Sequence, residues 1–132
     1  MIVTNLHSAL KPYLESTPKG QIFVLADEHT ANSCLPILSE SMEGFSYHQI
    51  IIAAREHNKT LTTVEQIWDE LISQGATRQS LLVNLGGGMV TDLGGFAAAT
   101  YMRGIRYVNI PTSLLAMVDA SSGGKTGFDY RG

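Results

Sequence analysis

The chain has little of several things that would place it at once. Its 132 residues include a single cysteine, Cys34. No disulfide can close within the chain, and a reducing cytoplasm is its simplest home. Free cysteine is among the most buried residue types, so Cys34 is expected to act as a small core hydrophobe. No apolar run approaches the roughly 18 residues of a membrane span. The opening MIVTNLHSAL lacks the basic-then-apolar order of a secretory signal. There is no basic run and the net charge is −3, which argues against general nucleic-acid or anionic-membrane binding. A small anionic ligand stays open, because a few local cations suffice. The four histidines, His7, His29, His48 and His57, show no zinc-ligand spacing, and no metal site is read from them.

What is present alternates between strand and helix patterns. Leu6, Ala9, Leu10, Tyr13 and Leu14 fall at helical spacing after Asn5, an expected N-cap. QIFVLA (21–26), YHQIIIAA (47–54), SLLVNL (80–85) and RYVNI (106–110) read as buried strands. Residues 30–42 read as one helix despite Pro36. TTVEQIWDELISQG reads as the clearest helix, with Thr62 and Glu65 at capping-box spacing. Val64, Ile67, Trp68, Leu71 and Ile72 form its apolar face, and Gly75 its stop. Apolar strands alternating with helices predict a single Rossmann-like α/β domain over 1–132, a mostly parallel sheet with helices on both faces. In such sheets ligands bind beyond the carboxyl ends of the strands. Asp27, the REHNK segment, GGG and PTS all fall there.

LVNLGGGMVTD has the strand–turn–helix context in which a glycine turn admits a pyrophosphate and a helix N-terminus supplies donors. It meets G-x-G-x-x-G only in part: Gly86 and Gly88 fit, and Thr91 stands at the third position. A tight turn without ligand remains the plain alternative. Asp92 is expected in the first turn of the following helix, as a dipole partner, a cap or a ligand contact. Gly94 and Gly95 lie inside that helix, where glycine is unfavourable, so a close approach by backbone or ligand is expected. Glu56 and Lys59 form a surface pair or a site pair at the second strand's end. GGKT at 123–126 suggests an ATP loop, but G-x-x-x-x-G-K-[ST] requires glycine at Asp119, and a strand–loop–helix context is lacking.

GGGMVTDLGGFAAATYMRGIRYVNIPTSLLAMVDASSGGKTG (86–127) strongly resembles the 3-dehydroquinate synthases, with REHNKTLTTVEQIW upstream matching their Glu-x-x-Lys segment. The resemblance implies an N-terminal NAD-binding α/β domain, with a helical metal-binding domain absent from this chain. The implied reaction converts 3-deoxy-D-arabino-heptulosonate 7-phosphate to 3-dehydroquinate and phosphate, with transient oxidation by NAD. Matched position by position, Asp27, Glu56, Lys59, Gly87, Gly88, Met89, Val90, Thr91, Asp92, Thr112, Ser113, Asp119 and Lys125 are cofactor residues. Asp119 and Lys125 also match the active-site acid and lysine. Lys125 and Arg103 would reach the sugar phosphate, Arg103 across a dimer contact. Ser113 replaces a family threonine, and Asp129 stands where many members have asparagine. The family's zinc or cobalt ligands have no counterpart here, so the chain is expected to bind NAD and be inactive alone. Related sugar-phosphate cyclases, metal-dependent polyol dehydrogenases and a non-catalytic dinucleotide module are the rival readings.

Overall fold

The computed structural model describes residues 2–54 and 60–114. Strands β1 (Ile22–Asp27), β2 (His48–Ile52), β3 (Leu81–Gly86) and β4 (Arg106–Pro111) form one sheet in the order β2-β1-β3-β4. All three pairings are parallel, in the registers Ala26↔Ile51, Ala26↔Leu85 and Gly86↔Pro111. Each strand begins within one residue of its expected place.

The strands are apolar throughout because both faces are covered. Phe23, Leu25, Ile50, Ile52 and Leu82 face α4 (Leu61–Ser73) and α5 (Gly88–Thr100), meeting Val64, Ile67, Leu71, Val90, Leu93 and Ala97. Ile22, Val24, Ala26, Leu81, Val83 and Leu85 face α1 (Ile2–Glu15) and α3 (Leu35–Ser41), meeting Leu6, Leu10, Leu14, Leu35 and Leu38. Burying one such Leu or Ile is worth about 1.5–3 kcal/mol, so these two layers carry most of the folding free energy.

The helix expectations need correction at their ends. Residues 30–42 are two helices, α2 (Glu28–Ser33) and α3, broken at Cys34. Pro36 lies in the first turn of α3, where its missing N–H costs nothing. Asn5 is inside α1, not its cap. The buried face of α1 is Leu6, Leu10 and Leu14; Ala9 and Tyr13 are exposed. Thr60, not Thr62, caps α4, accepting from Thr63 N–H at 3.4 Å. Ile72 points to solvent, while Trp68 is half-buried and bonds Thr100 Oγ1 through Nε1 at 3.1 Å. Gly75 does stop α4. Its φ is +85°, and Gly75 N–H and Ala76 N–H donate to the carbonyls of Ile72 and Leu71. Cys34 is half-buried beside the second core layer rather than sealed within it.

Candidate functional site

The strand order reverses at β1: the chain steps outward to β2, then returns to place β3 on the other side. The connections leaving the carboxyl ends of β1 and β3 run to opposite faces of the sheet, α3 on one and α5 on the other, and such switch points are where parallel sheets open a crevice. In this chain the crevice is a cleft of about 280 Å³ lined by Asp27, His29, Ala54, Gly87, Gly88, Met89 and Val90.

Each wall has a local cause. Asp27 ends β1 and caps α2: its Oδ1 accepts from His29 N–H at 2.9 Å, Thr30 N–H at 2.8 Å and Thr30 Oγ1 at 3.1 Å. Glu28 Oε1 accepts from Ala54 N–H at 3.0 Å, tying the end of β1 to the segment after β2. Gly87 caps α5 without a side chain, and Thr91 N–H bonds back to the Gly87 carbonyl at 3.1 Å. The preceding N–H groups, on Gly88, Met89 and Val90, are those a helix start leaves without intrahelical acceptors. They carry the positive end of the α5 dipole into the cleft.

The glycines of the turn have different reasons. A Cβ on Gly86 would stand 2.7 Å from Val90 Cβ, so strand and helix meet too closely for any side chain. Gly87 and Gly88 are exposed, neither has positive φ, and a Cβ on either would meet nothing within 4 Å. The fold does not require glycine at these two positions. The space a side chain would fill is part of the cleft.

The expected site residues divide into three groups. Asp27, Gly87, Gly88, Met89 and Val90 are brought together at the cleft; Val90 offers only backbone, since its side chain is core. Thr112 and Ser113 follow β4 at the same edge, next to Pro111, the register partner of Gly86. Thr91 lies one turn into α5, its hydroxyl donating to the Gly87 and Gly88 carbonyls. Asp92 is not in the first turn and is no cap: α5 starts at Gly88, and Asp92 lines a separate groove with Thr60, Leu61, Val64, Leu93 and Phe96. Arg103 is not at the cleft. It sits in the 3-10 turn Tyr101–Arg103, between the end of α5 and the start of β4, hence at the amino edge of the sheet. Glu56, Lys59, Asp119 and Lys125 lie outside the described residues. His29 and Ala54 also line the cleft without having been expected there: each stands two residues past a strand end, and Ala54 was expected inside the second strand, which stops at Ile52. No group of three His, Cys, Asp or Glu among the described residues could hold a metal ion. None of the described helices is long and apolar enough to cross a membrane.

A parallel α/β sheet with a glycine turn and a helix start at its switch point defines the Rossmann-like class of nucleotide-binding folds. A family model described as 3-dehydroquinate synthase N-terminal matches residues 49–132. The chain belongs to the 3-dehydroquinate synthase family. It is 47% identical over 133 residues to the 3-dehydroquinate synthase of Parabacteroides distasonis, covering 100% of this chain and 37% of that protein. It therefore spans little more than a third of that relative's length. Among solved structures, 2-deoxy-scyllo-inosose synthase complexed with carbaglucose-6-phosphate, NAD+ and Co2+ aligns with a TM-score of 0.71 and 26% identity, over 81% of this chain and 30% of that one. ValA, the 2-epi-5-epi-valiolone synthase of Streptomyces hygroscopicus with NAD+ and Zn2+ bound, aligns with a TM-score of 0.64 and 32% identity, over 84% and 32%.

Proposed function

We propose that this chain is the cofactor-holding part of a 3-dehydroquinate synthase, with the pyrophosphate of NAD+ seated on the Gly87–Gly88 turn. The observation that carries this reading is the open space at Gly87 and Gly88, which internal packing does not explain. NAD+, when bound, supplies the transient oxidation of one substrate alcohol. The chain's own groups bind and orient. The N–H groups of Gly88, Met89 and Val90 donate to the pyrophosphate, and the α5 dipole favours its charge. Asp27 takes the adenosine end, its side chain held in place by the α2 cap. Thr112 and Ser113 offer hydroxyls from the neighbouring strand end. Glu56, Lys59, Asp92, Asp119 and Lys125 are assigned to cofactor or substrate by family resemblance.

The substrate of the proposed whole enzyme is 3-deoxy-D-arabino-heptulosonate 7-phosphate, converted to 3-dehydroquinate and phosphate in the cytoplasm. The 47% identity to a dehydroquinate synthase, against 26% and 32% to the other two cyclases, favours this reaction over theirs. The amino-edge position of Arg103 supports a homodimer in which it serves the partner's substrate phosphate rather than this chain's own cleft. Zinc or cobalt is assigned to the part of the enzyme represented by the other two thirds of the relatives. Turnover is assigned to the two parts together.

Calorimetric titration with NAD+ tests the proposal. Saturable binding is expected from the 132-residue chain, with no dehydroquinate formed when zinc and substrate are added. A folded chain that releases no heat with NAD+ sinks the cofactor assignment; turnover by this chain alone sinks the assignment of activity to both parts.

A further inference from the structure

Asn84 interrupts an otherwise apolar strand, and it is fully buried. A buried amide is unfavourable unless bonded. Its Nδ2 donates to Asn109 Oδ1 at 3.0 Å, on the register partner in β4. Its Oδ1 has no hydrogen-bond partner. That oxygen lies against Gly94 of α5, so closely that a Cβ added to Gly94 would overlap Oδ1 and Cγ and stand 2.8 Å from Nδ2. Neighbouring Gly95 differs, because a Cβ there would only touch the Tyr107 ring at an ordinary 3.5 Å. Gly94 is therefore required by the Asn84 amide, not by a ligand.

We infer that Asn84 and Gly94 are a positioning pair: the amide is a spacer that sets the height of α5 on β3, and so the placement of the Gly88–Val90 N–H groups in the cleft. Two close approaches fix the helix against the strand. Gly86 against Val90 holds its first turn, and Asn84 against Gly94 holds it just over one turn further along. Both strand residues stand in the carboxyl half of β3, Gly86 at its end and Asn84 two residues before, so a change at the second contact tilts the helix start. A leucine at 84 would bury as well, but its branched tip could not lie flat beneath a helix backbone. The amide is instead held in one orientation by Asn109, which is what a spacer requires. The consequence for cofactor binding rests on the proposed seating of NAD+ on the Gly87–Gly88 turn.

The test is a size exchange followed by nuclear magnetic resonance and calorimetry on the 132-residue chain. Gly94→Ala is expected to move the amide resonances of residues 87–91 and weaken NAD+ binding by about tenfold. Asn84→Ala in that background is expected to return both toward the wild-type values. If Gly94→Ala does not fold, Asn84→Ala alone carries the test, since removing the spacer must also move the 87–91 amides. Changes confined to residues packed around 84, 94 and 109, or a double variant no closer to wild type, overturn the spacer. A wild-type chain that fails to bind NAD+ overturns the cofactor reading, while the amide shifts still decide the spacer.

Discussion

Asp27 and Thr30 hold each other by reciprocal hydrogen bonds. Thr30 N–H donates to Asp27 Oδ1 at 2.8 Å, and Asp27 N–H donates to Thr30 Oγ1 at 3.0 Å. This box starts α2 and fixes the carboxylate at the rim of the cleft. One side chain thus has a structural role and a proposed binding role, and two substitutions separate them. Asp27→Ala loses the cap and should cost about 1 kcal/mol in chemical denaturation. Asp27→Asn keeps the cap and removes the charge. Its stability should change little, while the preference for NAD+ over NADP+ should fall by about tenfold, because a carboxylate near the ribose repels a 2′-phosphate. Unchanged preference in Asp27→Asn would place the adenosine elsewhere.

The glycine turn makes a sharper distinction. Gly88→Ala introduces a methyl into open space, so stability should stay within about 0.5 kcal/mol of wild type. NAD+ affinity should nevertheless fall. Gly86→Ala should do the opposite first: the methyl meets Val90, costing about 1–3 kcal/mol from overpacking. Thermal melts read beside NAD+ titrations check both. Equal NAD+ affinity in Gly88→Ala and wild type would show that the cofactor does not need glycine at that position.

Tyr101 provides a pH test. Its hydroxyl is buried, donates to the Ala76 carbonyl at 3.0 Å, and is pushed above the ordinary tyrosine range by burial. The unfolded chain therefore loses this proton first as pH rises. The Tyr101 contribution is fully present below about pH 10 and is lost as pH climbs through the folded value. Tyr101→Phe should cost about 1 kcal/mol at neutral pH by losing the hydrogen bond. The gap between variant and wild type should narrow in alkaline melts. A gap that widens with pH contradicts the assignment.

Arg103 carries a positive φ of +72°, between Met102 at +47° and Gly104 at +111°. Left-handed backbone is unfavourable for an arginine, so Arg103→Gly should stabilise the isolated chain by roughly 0.5–1 kcal/mol. NAD+ affinity should be unchanged, because the residue stands at the far edge of the sheet. A large loss of NAD+ affinity would contradict the separation of Arg103 from the cleft.

Much of this architecture is legible in the chain. Strand runs such as IFVLA and LLVNL announce a sheet buried on both faces, because continuous apolarity in a parallel strand needs cover on both sides. GGGMV at a strand end marks the edge where a ligand would sit. Helix starts are less legible. Thr62 has capping-box spacing to Glu65, but the helix already begins at Leu61 and the extended backbone of Thr60 makes that residue the cap. Pro36 signals a break, but whether it ends one helix or begins the next depends on the turn at Cys34.

By itself the sequence determined the alternation of strands and helices, the parallel sheet, the glycine turn at a strand end, and the family. These follow from local periodicity and from motifs contiguous in the chain. Only the tertiary structure decided which glycines serve packing and which leave a cleft open. Gly86 and Gly94 have their reasons in Val90 and Asn84, whereas Gly87 and Gly88 have none inside the fold. It alone also moved Arg103 away from the cleft, since crossing the length of α5 carries the chain from one edge of the sheet to the other. A glycine's purpose is set by what stands within a few ångströms of its missing Cβ, and that neighbour is chosen by how helix and strand pack.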